Sequence, residues 1–536
     1  MSNTNQKAQT GTQPQFFILI IVFFFRGFVA ASNGIFIPFC KTHFDLNQFQ
    51  SQLIDTAFYG AYFIGSLLLY MFSVTSGIDI LNRIGYKNGI ILGLVISIVG
   101  ALCMIPAVNT GSFGLILGAF FIVALGFSLQ QTAAQPFAIA LGSPESGSHR
   151  LNMAGGVNSF GTTIGPLVVS FLLFGNVAEG AGISADITSI NSLYLILAGV
   201  FALVAVIFAV SKLPRVTSDE KFEKTPKATN SLLFMTALLV AIILLGIFTE
   251  LSRLALVSVT LLGVLAILFL SYSSATKNSE GWGAMKFPQL ILGMIAIFIY
   301  VGVEVTIQSN MGALLLLPDF GGLDESQISP FISLYWGSLM IGRWIGAISV
   351  FNLSKTPKVV ATIIVPLVAF AVILGVNMLR GTDVSGLYIY VLCIAVLIAA
   401  MFWGQEKPTK TLLAVSMLGI IAMMVGVFTT GQLSVFAFIS GGLCCSVMWP
   451  CIFSLAVAGL GKYTSQGSAL LIMMILGGAL IPPFQGGLAD VAAVGIHWSY
   501  IVAVICFAYL AWFAIRVRSI LKAQGIDFEK AISGGH

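Results

Sequence analysis

Residues Leu125–Gly161 read LGFSLQQTAAQPFAIALGSPESGSHRLNMAGGVNSFG. The stretch begins inside an apolar run that holds three glutamines, Gln130, Gln131 and Gln135. It turns through Pro144, Glu145 and the basic His149-Arg150, then enters a second apolar run with Asn152 and Asn158. Amides in hydrocarbon are costly unless bonded, so these side chains need a partner or a wet cavity. Neutral amides suit an uncharged, hydroxyl-rich ligand better than an ion. The plain alternative is that they bond one helix to another.

Composition explains why these runs lie in hydrocarbon. Of 536 residues, 58% are hydrophobic and 8% charged, with a mean hydropathy of +1.00. Soluble domains carry about 25% charged residues, so this chain reads as an all-α polytopic membrane protein. The net charge of +5 is spread over short loops, which excludes a nucleic-acid face. The cysteines (Cys40, Cys103, Cys393, Cys444, Cys445, Cys451 and Cys506) lie in or beside apolar runs, without metal-ligand spacing to histidine, and read as free structural thiols. Neither a zinc nor a nucleophile constellation is visible, and no cofactor or metal is implied.

A span needs about 20 apolar residues. Six such runs precede a charged stretch: 16–39, 53–76, 89–108, 113–142, 151–175 and 191–211. Ten follow it: 231–249, 254–272, 288–317, 329–351, 359–379, 387–404, 411–429, 433–459, 466–484 and 497–515. With no water to satisfy the backbone, all are expected to be helices. The run from Phe16 is too long for a signal-peptide core and reads as a retained first span. About 16 spans put both termini on one side. Loops and tails on that side hold twenty of the 25 Lys and Arg residues. The other side holds Lys41, Arg253 and Arg380, and Arg26 and Arg343 lie within spans. The termini are therefore expected to be cytoplasmic. The expected organisation is a disordered tail 1–14, a first half 15–212, a cytoplasmic loop 213–230, an extra helix pair 231–272, a second half 287–518 and a cytoplasmic tail 519–536.

Between spans two and three, Asn82-Arg83-x-Gly85-x-Lys87 resembles the basic loop of the major facilitator superfamily. The opening stretch, from Gln131 to Gly161, resembles the signature of that superfamily's L-fucose permease and glucose/galactose transporter family. Further matches are NGIFIP from Asn33, AFYGAYF from Ala57, Ile341-Gly342-Arg343, WPCIFSL from Trp449 and Gly467-Ser468. The motif order holds across nearly the whole chain. The resemblance implies two six-helix halves around a central cavity, with inverted repeats in each half. This chain adds two pairs of spans, 231–272 and about 359–404 in the second half. The resemblance also places family carboxylates at Gly34 and Gln131 and a family glutamine at Gly155, all absent here, whereas the family asparagine at Asn158 is present.

Charges within spans then narrow the coupling site. Arg26, Asp55, Glu304 and Arg343 each need a partner, because an unpaired charge in mid-membrane costs about 2.5–3.5 kcal/mol on insertion scales. Arg343 is expected to snorkel or to bond helix-end carbonyls, and Asp55 to cap its helix. Glu304 lies mid-span in the helix that opens the second half, one turn from Gln308 on the same face. Glu304 is expected either to be neutral by desolvation or to be ionised against Arg26 across the halves.

The expected function is a secondary transporter in a bacterial cytoplasmic (inner) membrane, not an enzyme. It would carry a neutral hexose of the glucose, galactose or fucose type with a proton, by alternating access, as a monomer in the lipid bilayer. Expected sugar contacts are Asn33, Gln130, Gln131, Gln135, Asn158, Gln308 and Asn310; expected coupling residues are Glu304, Arg26 and Asp55. The alternatives are an uncoupled or sodium-coupled carrier and a membrane sugar sensor. A polytopic enzyme would need converging catalytic groups, which the sparse histidines and acids do not supply.

Overall fold

The computed structural model describes residues 14–44, 48–77, 79–143, 146–174, 189–214, 225–249, 251–323, 325–351 and 353–526. Within helices, the side chains of 30–43, 48–56, 166–167, 170–174, 189, 247–248 and 325–327 are outside that description. Every long apolar run is helical, as a backbone deprived of water requires. The first half comprises α1 Phe16–His43, α2 Gln48–Ser76, α3 Tyr86–Asn109, α4 Phe113–Ala140, α5 Gly147–Phe174 and α6 Ser189–Val210. Then come α7 Pro226–Phe248 and α8 Arg253–Lys277. The rest comprises α9 Pro288–Ser309, α10 Glu325–Ala347, α11 Lys355–Leu379, α12 Val391–Gly404, α13 Pro408–Phe428, α14 Gly431–Ala456, α15 Gly461–Ala489 and α16 Gly495–Ala523.

Among the described residues, 14 helices are long and apolar enough to cross a membrane, and α1 adds the shorter apolar stretch Phe16–Val29. The charged loop expected to reach residue 230 ends sooner, because α7 starts at Pro226. Proline suits a first helical turn, where its missing N–H would have no partner. The added pairs likewise run beyond the apolar ranges read from sequence, since helix ends at a membrane surface tolerate charge.

In the first half, α1 lies on α5, α2 on α4, and α3 between α4 and α6. Gly161 and Gly165 allow the α1–α5 approach: a Cβ would fall 2.4 Å from the Phe24 carbonyl oxygen at the former and 2.7 Å from that of Phe28 at the latter. In the second half, α9 is enclosed by α14, α15 and α16, and α13 packs on α14 and α16. The halves meet where α2 and α4 face α15, and where α5 faces α10 and α14.

The added helices sit differently. Only 17% of the apolar window in Pro226–Gly246 is buried, 22% in Arg253–Lys277, 28% in Lys355–Leu379 and 22% in Ser385–Gly404. In Pro288–Leu315 and Gly431–Ala456 the share is 83%. Leu233, Phe234, Leu262, Leu270, Leu392 and Trp403 all point outward, a pattern that only a lipid environment satisfies.

The face that carries the 79–87 loop is closed by bonds between the halves. The Ser465 hydroxyl donates to the Asp79 carboxylate at 2.8 Å, and the Gln466 amide to Ser73 Oγ at 3.0 Å. The Asn82 amide donates to the Lys462 carbonyl at 2.9 Å. Asp79 also caps the short helix Ile80–Ile84, accepting from the backbone N–H of Leu81 and Asn82. Burial pushes its carboxyl above the usual range, while Ser465 and the two backbone N–H groups pull it back. A further closing bond has a sequence cause. Pro136 has no N–H for the carbonyl one turn back at Thr132, and Ser468 of the other half donates to that carbonyl at 2.8 Å.

Candidate functional site

Glu304 projects from α9 into a polar cluster between the halves. Its Oε1 accepts from the Tyr300 hydroxyl at 2.8 Å, one turn earlier, and from Arg343 Nη2 at 3.2 Å. The side chains of Arg343 and Glu304 are only 12% and 13% exposed, so this is a buried ion pair. Removing one member of such a pair typically costs about 3–5 kcal/mol, because the other charge stays buried without it. The Tyr335 hydroxyl donates to the Glu304 backbone carbonyl at 2.6 Å and fixes α9 against α10.

Arg343 is thus turned inward, which corrects the snorkelling expectation. Its Nη1 donates to Ser159 Oγ on α5 at 2.7 Å, so one guanidinium links the carboxylate of one half to a hydroxyl of the other. Its Nε donates to the Ser446 carbonyl at 3.2 Å. That carbonyl is available because α14 breaks between Gly431–Cys445 and Met448–Ala456, and Pro450 supplies no N–H one turn later. The expected bond to a helix-end carbonyl therefore exists, inside the protein. Gly155 makes room for the side chain: a Cβ there would lie 3.2 Å from Arg343 Cδ.

Arg26 is not the ion-pair partner of Glu304. Its Nε donates to the Tyr62 hydroxyl at 3.1 Å, and its guanidinium lies 5.8 Å from the centre of that ring. The guanidinium that reaches the carboxylate is that of Arg343, whereas Arg26, on α1, is held by an aromatic partner on α2.

The amides sort into engaged and open ones. Gln130 turns toward α3, where its amide donates to Ser97 Oγ at 3.1 Å, a bond between helices. Asn158 donates to the Phe23 carbonyl at 2.9 Å and ties α5 to α1. Gln131 and Gln135 differ. Both are 3% exposed, and the Oε1 of each is buried with no hydrogen-bond partner. They lie one turn apart on one face of α4. Two buried acceptors without donors are rare and call for a ligand or water. Gln308 is half-buried one turn after Glu304. Asn310 closes the end of α9 and donates back to the Thr306 carbonyl at 3.4 Å. Asn33 and Asp55 fall on α1 and α2, among the residues whose side chains are not described.

Aromatic groups complete the cluster. Trp449 stands 6.1 Å from Tyr300 and stacks on Phe453 at 6.2 Å, and its indole N–H is buried without an acceptor. Trp344 donates to the Gly156 carbonyl of the other half at 3.2 Å. Tyr300, Ser159 and Trp449 were not among the residues expected from sequence. Pro450 was the available signal, since it predicts an orphan carbonyl at Ser446 that a nearby cation can fill.

Residues 19–406 match the family model described as Major Facilitator Superfamily. The chain is 31% identical to a glucose/galactose transporter of Brucella abortus, over 93% of this chain and 92% of that protein. It is 24% identical to the L-fucose-proton symporter of Escherichia coli (strain K12), over 94% and 93% respectively. Its fold matches the crystal structure of the transporter FucP in the outward conformation with a TM-score of 0.65, at 21% identity, covering 94% of this chain and 98% of that one. The chain belongs to the Major Facilitator Superfamily, in the branch of the glucose/galactose transporters and L-fucose-proton symporters, and is a membrane transporter rather than an enzyme.

Proposed function

We propose that this protein imports a neutral hexose with a proton across a bacterial cytoplasmic membrane, by rocking its two halves around the cluster at Glu304. The observation that carries this reading is the connection Glu304–Arg343–Ser159, in which the described mid-span carboxylate is wired to the opposite half. Proton uptake by Glu304 replaces the ion pair with a weaker hydrogen bond between the Arg343 cation and a neutral acid. Arg343 is then less firmly anchored to α9, and its bond to Ser159 is one that rocking must break. Gln131 and Gln135 are the proposed sugar acceptors, with the Trp449 indole as a donor and Gln308 and Asn310 toward the far end of α9. Asn158, Asn33, Arg26 and Asp55 complete the proposed site and its electrostatics; Gln130 serves as a helix-to-helix partner. The relatives named for glucose, galactose and fucose support the substrate class.

Sixteen spans with cytoplasmic termini are part of this reading, with 231–272 and 359–404 as pairs added to a twelve-helix core. The low burial of these helices supports a peripheral place for them. On this topology the closed 79–87 face is cytoplasmic and the protein faces outward. Uptake of labelled glucose, galactose and fucose into proteoliposomes, with imposed proton or sodium gradients, tests the proposal. Accumulation of one hexose driven by an inward proton gradient is expected. Equilibration without accumulation would make the protein an uncoupled carrier, and a sodium requirement would replace the proton.

A further inference from the structure

A second polar cavity lies away from the transport cluster, on the face that carries the 79–87 loop. Its volume is about 190 Å3, room for several waters or one small organic ion. It is walled by the start of α5 on one side and by α10 to α13 on the other, so it straddles the two halves. The added helices α11 and α12 build its mouth through Lys355, Lys358, Gln405 and Glu406.

Its inner wall holds two buried acceptors without donors. His149 Nδ1 donates to the Gly346 carbonyl at 3.0 Å, and in the neutral ring that bond leaves Nε2 as an acceptor. Nε2 is buried with no partner, and so is Asn152 Oδ1. His149 is 8% exposed and Asn152 4%. The position of Asn152 depends on a glycine opposite, since a Cβ on residue 346 would fall 2.6 Å from Asn152 Cγ. The mouth carries donors instead. Lys358 pairs with Glu406, and Lys355 is exposed beside it. Gln405 and Glu406 both adopt left-handed backbone, φ 50° and 60°, a strained turn that sets them at the rim.

An occupant that satisfies this wall offers hydroxyl donors inward and negative charge outward. We propose that the cavity is a ligand site distinct from the transport site, that it takes a small phosphate ester bearing free hydroxyls, and that the occupant holds this face closed by bridging α5 to α11. The chemistry fits two sources, a soluble sugar phosphate and the headgroup of phosphatidylglycerol. The inference does not depend on which hexose is carried or on the coupling ion.

The test uses the full chain in phosphatidylcholine nanodiscs, titrated calorimetrically with glucose 6-phosphate, and in parallel its thermal stability in nanodiscs that contain phosphatidylglycerol. Binding of glucose 6-phosphate, or stabilisation by phosphatidylglycerol, is expected. The response should weaken at least about tenfold in Lys355→Ala, where a charge-assisted hydrogen bond is lost, and roughly 2- to 12-fold in Asn152→Leu, where a neutral one is lost. Glucose binding at the transport site should be unchanged in Lys355→Ala. Should Asn152→Leu fail to fold, the exposed Lys355→Ala decides alone. A response to the soluble ester assigns the site to it, and a response to the lipid alone assigns it to the headgroup. No response to either, or a response that Lys355→Ala leaves intact, overturns the proposal.

Discussion

At the scale of single residues, the deciding contrast is between neighbouring glutamines. Gln130 spends its amide on Ser97, whereas Gln131 and Gln135 keep buried, unpartnered acceptors. Gln131→Leu and Gln135→Leu should each raise KM for sugar uptake roughly 2- to 12-fold, the equivalent of about 0.5–1.5 kcal/mol per hydrogen bond. Gln130→Leu should instead lower thermal stability and leave KM near wild type. Equal kinetic effects in all three would remove the distinction. Coupling rests on Glu304. Glu304→Gln should abolish sugar accumulation driven by a proton gradient, while sugar counterflow, which needs no net proton movement, survives in part. Full accumulation by that variant would move coupling to Asp55 or to another ion. The sequence made these positions visible because a polar side chain in an apolar run must be explained. It did not reveal their partners. Gln130 and Gln131 are adjacent, and only the direction each takes from the helix separates a structural bond from an open acceptor. Arg26 was the expected partner of Glu304 because both lie mid-span, yet depth along a helix does not fix which face looks at which neighbour.

At the scale of elements, helix existence followed directly from apolar length, and helix role did not. The pairs α7–α8 and α11–α12 are as apolar as the core helices, so hydropathy alone could not rank them by burial. In the fold they present most of their surface outward. Cysteines placed mid-span in α7 should therefore react with a lipid-soluble maleimide at the same rate with and without sugar. Protection by sugar would put α7 on the transport path. Two prolines had effects that follow from sequence. Pro136 and Pro450 each free a carbonyl one turn back, and each carbonyl receives a donor from another helix, Ser468 in one case and Arg343 in the other. Such prolines mark where helices are joined by side chains rather than merely packed, and both lie next to groups of the candidate site.

At the scale of the whole molecule, function requires that closure of one face be nearly balanced against closure of the other. The face at the 79–87 loop is held by Ser465 on Asp79, Gln466 on Ser73 and Asn82 on the Lys462 carbonyl. Such a bond is worth about 0.5–1.5 kcal/mol when both groups are neutral and more when the Asp79 carboxyl is ionised, so removing two of them shifts the balance by at least roughly 5-fold. The double variant Ser465→Ala, Gln466→Ala should widen the distance between spin labels at the loop-face ends of α3 and α16, read by double electron–electron resonance. An unchanged distance distribution would mean that these bonds follow closure and do not hold it. The same face should respond to pH. Burial raises the Asp79 carboxyl in the closed state, and opening returns it toward the usual carboxylate range, near 3.9. The closed state then binds the proton more tightly than the open one. Acid therefore strengthens closure, fully below the ordinary carboxylate value, and that contribution is lost as pH rises through the raised one. Asp79→Asn keeps an acceptor for Ser465 but cannot titrate, so its label distances should not change across this window. If wild type and Asp79→Asn shift alike with pH, the titrating group lies elsewhere, and the buried carboxylate at Glu304 becomes the group to test next.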